Sequence, residues 1–159
     1  MIRLTVLISL LLVVTIAQAG QGRQTDTIEV DYDYRTVCRW IEKNAKQLET
    51  STGADVIETA GDIITLSKET KYGREVFRIE RSSREGRYSG RFVDRSVGSL
   101  CDYGYDVIVQ PIEMGRSQIT ITMTAESGEA SGVAIAVELR RSIRGVRAFL
   151  QKYLVKAGP

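Results

Sequence analysis

The segment Asp102-Tyr103-Gly104-Tyr105-Asp106 gathers the groups best suited to chemistry in this 159-residue chain. Read as a strand, it puts the two carboxylates on one face and the two phenols on the other. Carboxylates so placed could help hold a calcium ion or pair with arginines. Glu29, Asp31 and Asp33 make a similar acidic face. A solvated or ion-paired face is the simpler use of both. Histidine is absent. That removes the commonest general base, the commonest zinc ligand and every Ser-His or Cys-His nucleophile pair. An enzyme built on this chain works with Asp, Glu, Lys, Arg, Tyr, Ser or Cys. The chain contains no P-loop, no dinucleotide fingerprint and no EF-hand loop, and Asn44-Ala45-Lys46 is not a glycosylation sequon. No metal set, no cofactor and no catalytic constellation is therefore expected.

Two cysteines, Cys38 and Cys101, are present and lie far apart in sequence. In an exported protein an even pair reads as one disulfide; two separate thiols or a redox role are the alternatives. The chain carries net charge +2, too near balance to suggest nucleic acid. Basic residues nevertheless cluster. Lys71, Arg74, Arg78, Arg81, Arg84, Arg87, Arg91 and Arg95 fall within one stretch, and Arg140, Arg141, Arg144 and Arg147 within another. Together they could form a surface for anionic lipid or another polyanion, or pair with the acidic strands beside them.

The elements that must position these groups follow from periodicity. Ile28, Val30, Tyr32 and Tyr34 alternate with acids, which predicts a strand. From Arg35 the spacing of Val37, Ile41, Ala45 and Leu48 predicts one amphipathic helix of about 14 residues, closed by Ser51-Thr52-Gly53. Short alternating runs follow, separated by turns at Ala60-Gly61-Asp62, Lys71-Tyr72-Gly73, residues 82–86, residues 96–99 and Met114-Gly115-Arg116. This spacing predicts an antiparallel meander. Ala136, Leu139, Ile143, Val146, Leu150 and Tyr153 form one stripe, which predicts a long C-terminal helix. With 43% hydrophobic and 26% charged residues and no linker, one folded domain over residues 27–156 is expected.

The N-terminus has a basic start at Arg3, an apolar run over residues 4–16 and Ala17-Gln18-Ala19. This reads as a secretory signal peptide over residues 1–19, cut before Gly20. The run is shorter than the ~20 residues that span a bilayer. Export to a periplasmic or extracellular space is expected, with residues 20–26 as a flexible leader.

Strand, helix, six meander strands and a long C-terminal helix: this order resembles the helix-grip fold of the START-like and Bet v1-like superfamily. The resemblance covers nearly all of residues 28–154 and lies in element order, without a signature motif. A lipocalin would want a Gly-x-Trp on its first strand, whereas Trp40 sits in the helix. The resemblance implies an α+β fold in which a curved sheet of about seven strands grips the last helix. It also implies a chamber between sheet and helix for an apolar small molecule or lipid. The inward faces would then be Phe77 and Ile79, Tyr103 and Tyr105, Ile121 and Met123, opposite Ala136, Leu139 and Ile143. The tyrosine hydroxyls would be the few polar handles. The alternatives are a histidine-free cyclase- or hydrolase-type enzyme on the same fold, and a solid-core module that binds another protein.

Overall fold

The structure is a computed structural model describing residues 20–70, 73–95, 101–156 and 158–159. Residues 1–19, with the expected signal peptide, lie outside the described residues, as do Lys71 and Tyr72 of one expected turn and the 96–99 loop.

Seven antiparallel strands form one curved sheet in the order β1-β7-β6-β5-β4-β3-β2. They are β1 (Gln21–Val30), β2 (Ala54–Ala60), β3 (Ile63–Thr70), β4 (Gly73–Arg84), β5 (Arg87–Arg95), β6 (Asp102–Glu113) and β7 (Arg116–Glu126). The meander β2 to β7 is the one the alternation predicts. Two helices, α1 (Tyr34–Lys43) and α2 (Ala45–Thr50), connect the edge strand β1 to the opposite edge strand β2. The long helix α3 (Gly132–Leu150) packs on β1 and β7 and continues as a π-helical turn, Gln151–Lys156.

The helical stretch after β1 stands where its periodicity puts it, but Asn44 divides it. Asp33 caps α1 by accepting from Thr36 N at 3.0 Å. Asn44 ends it by folding its Nδ2 back onto the Trp40 carbonyl at 2.8 Å, and its backbone leaves helical geometry. Val37, Trp40 and Ile41 are buried from α1, and Leu48 and Glu49 from α2.

Residues 21–26 are not a flexible leader. They form the first half of β1, in register from Gln21 opposite Glu126 to Asp26 opposite Ile121. Without them the far half of β7 would present an unpaired edge. Their polar side chains suit that edge. Gln21 donates to Glu126 at 3.2 Å, Thr25 meets Thr122 at 3.2 Å, and Asp26 pairs with Arg147 at 2.7 Å. Gly22 lets α3 lie close, since a Cβ there would sit 2.5 Å from Ile135 Cγ2.

The expected disulfide is absent: Cys38 and Cys101 are both thiols. Cys38 lies on α1, where its carbonyl accepts from Tyr88 Oη at 3.0 Å. Tyr88 is opposite Val107 on β6, and Cys101 immediately precedes that strand. Six strand residues separate those levels, on the order of 20 Å. A disulfide spans at most about 7 Å between Cα atoms.

The main core runs along α1, β1, β7 and α3, and includes Ile41, Ile119, Leu150 and Leu154. A smaller one holds Ala54, Ile64, Leu66, Phe77 and Ile79 from β2 to β4. Tyr103 and Tyr105 pack against both. The two tyrosines therefore stand at the junction where the sheet, α2 and α3 meet.

Candidate functional site

Three small cavities lie at that junction. The first, about 50 Å³, is lined by Lys68, Phe77, Ile79, Tyr103, Leu139 and Ser142 among others. The second, about 40 Å³, is lined by Ile41, Leu48, Tyr88, Val107, Ile121 and Val146. Glu49, Thr52, Tyr105 and Met123 belong to the walls of both. A third, about 10 Å³, lies beyond Tyr103 among Thr70, Glu75, Cys101, Ala134 and Glu138.

Six of the residues expected inside, Phe77, Ile79, Tyr103, Tyr105, Met123 and Leu139, line the first cavity, and Ile121 lines the second. Ala136 is half-buried and Ile143 packs into the main core; neither lines any of these three cavities. Arg140, Arg141 and Arg144 are exposed along α3, whereas Arg147 is engaged with Asp26. Asp106 pairs with Arg87 at 3.1 Å, and Glu29 and Asp31 pair with Arg116 at 2.8 and 3.2 Å. Arginine pairing is thus one use of these acidic faces. Among the described residues no group of three or more Cys, Asp or Glu side chains is placed to hold a metal ion.

Charged residues beyond the expected apolar set stand inside the grip. Lys68 and Glu75 are direct cross-strand partners on β3 and β4, and they are 6% and 1% exposed. Lys68 Nζ donates to Ser142 Oγ at 2.5 Å, lies 3.4 Å from Glu138 Oε2 and sits 5.6 Å from the Tyr103 ring centre. Glu75 accepts from Thr70 at 3.3 Å and bonds to the Tyr103 hydroxyl. Burial pushes the Lys68 ammonium below its ordinary range, against the opposing pull of Glu138 and Glu75. Burial raises the Glu75 carboxyl, against the hydrogen bonds from Tyr103 and Thr70. A second cluster closes the other side: Glu49, 5% exposed, takes Arg81 Nε at 2.6 Å and Tyr105 Oη at 2.9 Å. Both tyrosine hydroxyls are held protonated, by burial first and by Cys101 and Glu75 or by Glu49 second.

A signal for these residues was in the chain. Ile64, Leu66 and Lys68 share one strand face, as do Glu75, Phe77 and Ile79, so each buried charge continues an apolar alternation. Burial thus favours the neutral form of both the Lys68 amine and the Glu75 carboxyl.

That shift makes a measurable difference. Glu75 ordinarily titrates near 4.5 and is raised in the fold. As pH falls, the folded state takes this proton first, so the group's destabilising effect is full above the raised pKa and gone below 4.5. Glu75→Gln mimics the neutral acid at every pH. It should melt above the wild type at pH 8, and the gap should close as pH approaches 4.5, as thermal denaturation across that range would record. A gap that widens on acidification would contradict the burial effect.

No sequence-family profile matches the chain, and no curated protein matches it in sequence. Solved structures do match. A START superfamily protein from Mycobacterium smegmatis aligns with TM-score 0.61 at 11% identity, over 83% of this chain and 96% of that one. The Zhui aromatase/cyclase from a Streptomyces species aligns with TM-score 0.57 at 10% identity, over 87% and 98%. This chain has the START/Bet v1-like fold. A major latex-like protein from Panax ginseng also shares the START/Bet v1-like arrangement, with TM-score 0.56 at 11% identity over 84% and 97%. Identities this low establish the fold and leave the interior chemistry to this chain's own residues.

Proposed function

We propose that this is an exported domain that binds a small, largely apolar molecule between the sheet and α3. The observation that carries the reading is the pair of apolar cavities separated by Tyr105 and Met123. Each is far smaller than the roughly 300 Å³ of an ordinary small-molecule site. A ligand must therefore move the partition. Met123 suits that role, because an unbranched thioether changes rotamer readily. With Met123 displaced the two cavities become one chamber, with Lys68, Glu75 and the Tyr103 hydroxyl on one side and the Tyr105 hydroxyl on Glu49 on the other. Apolar contact supplies affinity, at roughly 25 cal/mol per Å² buried before ordering costs. Export rests on residues 1–19, whose basic start, apolar run and Ala-Gln-Ala end make a signal peptide.

Native mass spectrometry of the secreted protein, with solvent extraction, tests both parts. The expected result is a polypeptide beginning at Gly20 with a discrete adduct lost on denaturation. An intact N-terminus defeats export. A clean apo mass, unchanged after incubation with a lipid mixture, defeats the chamber and favours a packed-core interaction module.

A second reading is favoured by the Lys68–Glu75 pair and by the likeness to an aromatase/cyclase. Here the same chamber belongs to a histidine-free enzyme, in which Lys68 and Glu75 move a proton on the bound molecule. An extracted adduct that the protein converts to a different mass on prolonged incubation would select it.

A further inference from the structure

We infer that the polar end of the ligand is a primary ammonium group, seated between Glu75 and Glu138; this rests on the chamber proposed above. The third cavity, about 10 Å³, has Tyr103 as a wall in common with the first, so the end of a ligand lying beside Phe77 and Leu139 enters it by displacing the Tyr103 ring. Two acceptors there are incompletely satisfied: Glu75 Oε2 has no hydrogen-bond partner, and Glu138 Oε2 is engaged by the Lys68 ammonium at 3.4 Å. Both are carboxylate oxygens, and their residues line the same cavity. A space of this size holds one water-sized centre, which is also the size of an ammonium nitrogen.

Charge decides among head groups. With Glu75 ionised, it and Glu138 face one buried cation, Lys68; burial relieves that excess negative charge by favouring the neutral Glu75 carboxyl, and a bound cation would relieve it instead. Arg141, the other cation that acts on Lys68, is exposed and screened by solvent. Lys68 is already committed to Ser142 and Glu138. A carboxylate head would add a further negative charge and bring only acceptors to a site whose donors, Lys68, Thr70 and Tyr103, already serve Glu75 and Glu138. A hydroxyl would bring one donor for two acceptors and leave the charge uncorrected. An ammonium brings three donors and the missing positive charge, and charge-assisted hydrogen bonds are roughly twice as strong as neutral ones.

The test uses three probes with one ring and one chain length: phenethylamine, phenethyl alcohol and phenylacetate. Titrations of residues 20–159 are followed by amide chemical shifts. Phenethylamine is expected to bind at least about tenfold more tightly than the alcohol, with phenylacetate weakest. Its shifts are expected at Lys68, Glu75 and Tyr103. In Glu75→Gln the preference of amine over alcohol should fall below about threefold. If that variant does not fold, Glu138→Gln, whose side chain is 15% exposed, makes the same comparison. Equal or tighter binding of the alcohol or the acid overturns the ammonium assignment and leaves the chamber standing. Amine shifts confined to Glu29, Asp31 and Asp33 overturn it too. Binding of none of the three overturns the chamber and the assignment together.

Discussion

Arg81→Met should lower the melting temperature by about 10 °C at neutral pH. The reason lies in the group left behind. Glu49 has a side chain only 3% exposed, and Arg81 grips it through two guanidinium nitrogens while Tyr105 adds a third hydrogen bond. Breaking a buried pair from one side leaves an uncompensated charge and typically costs 3–5 kcal/mol. Arg81 itself is 26% exposed, so water reaches the site and about 3 kcal/mol is the fitting figure. For a domain of this size each kcal/mol moves the melting point by roughly 3–4 °C. The double variant Glu49→Gln/Arg81→Met removes both charges and should recover more than half of the loss, since a neutral amide can still meet the Tyr105 hydroxyl. A melting point within about 2 °C of wild type for Arg81→Met would mean that Glu49 is hydrated, and that the wall shared by both larger cavities is wet.

How far the sequence reveals this architecture depends on whether a signal is local. The strands β2 to β7 are legible because Ile64 and Leu66, Phe77 and Ile79, and Val107 and Val109 alternate within single runs. The stripe Leu139, Ile143, Val146 and Leu150 specifies α3 in the same way. Lys68 and Glu75 were legible in principle, as charges continuing apolar faces. Alternation alone does not single them out, because only the cross-strand register places them together under α3. Glu49 carries no local signal. Its partners Arg81 and Tyr105 come from 32 and 56 residues away, and their convergence is a property of the closed sheet. The same holds for residues 21–26, whose polarity suggests a leader until β7 is seen to need an edge partner. Cysteine parity also failed, because it counts thiols and takes no account of the separation along β6.

Gly145 lets α3 lie against the backbone at Ser51, and Gly145→Ala should destabilise the fold by about 2 kcal/mol. A Cβ at this position would lie 2.0 Å from the Ser51 carbonyl oxygen and 3.2 Å from its carbon. Both are backbone atoms, so no rotamer change relieves the clash. Nor is that backbone free to retreat. Ser51 N donates to Gln47 O at 2.9 Å, its hydroxyl donates to Leu48 O at 2.6 Å, and Thr52 N donates to Glu49 O at 3.2 Å. On the other side α3 is held by Arg147 on Asp26 and by Ile135 and Leu139 over Gly22. Overpacking of this kind costs up to about 3 kcal/mol, and alanine returns roughly 1 kcal/mol as the better helix former. The net loss should lower the melting temperature by about 7 °C. Gly128→Ala is the control, because nothing lies within 4 Å of a Cβ there, and it should change stability by less than about 0.5 kcal/mol. The displacement also bears on the chamber. Val146 follows Gly145 directly and forms a wall of the second cavity with Leu48 and Thr52, so pushing α3 away from Ser51 widens that cavity before it touches the Lys68 cluster. Gly145→Ala should therefore weaken the fold while keeping the amine-over-alcohol preference of the wild type. An unchanged or raised melting point would mean that α3 is not seated on Ser51, and that the grip closes on its helix elsewhere.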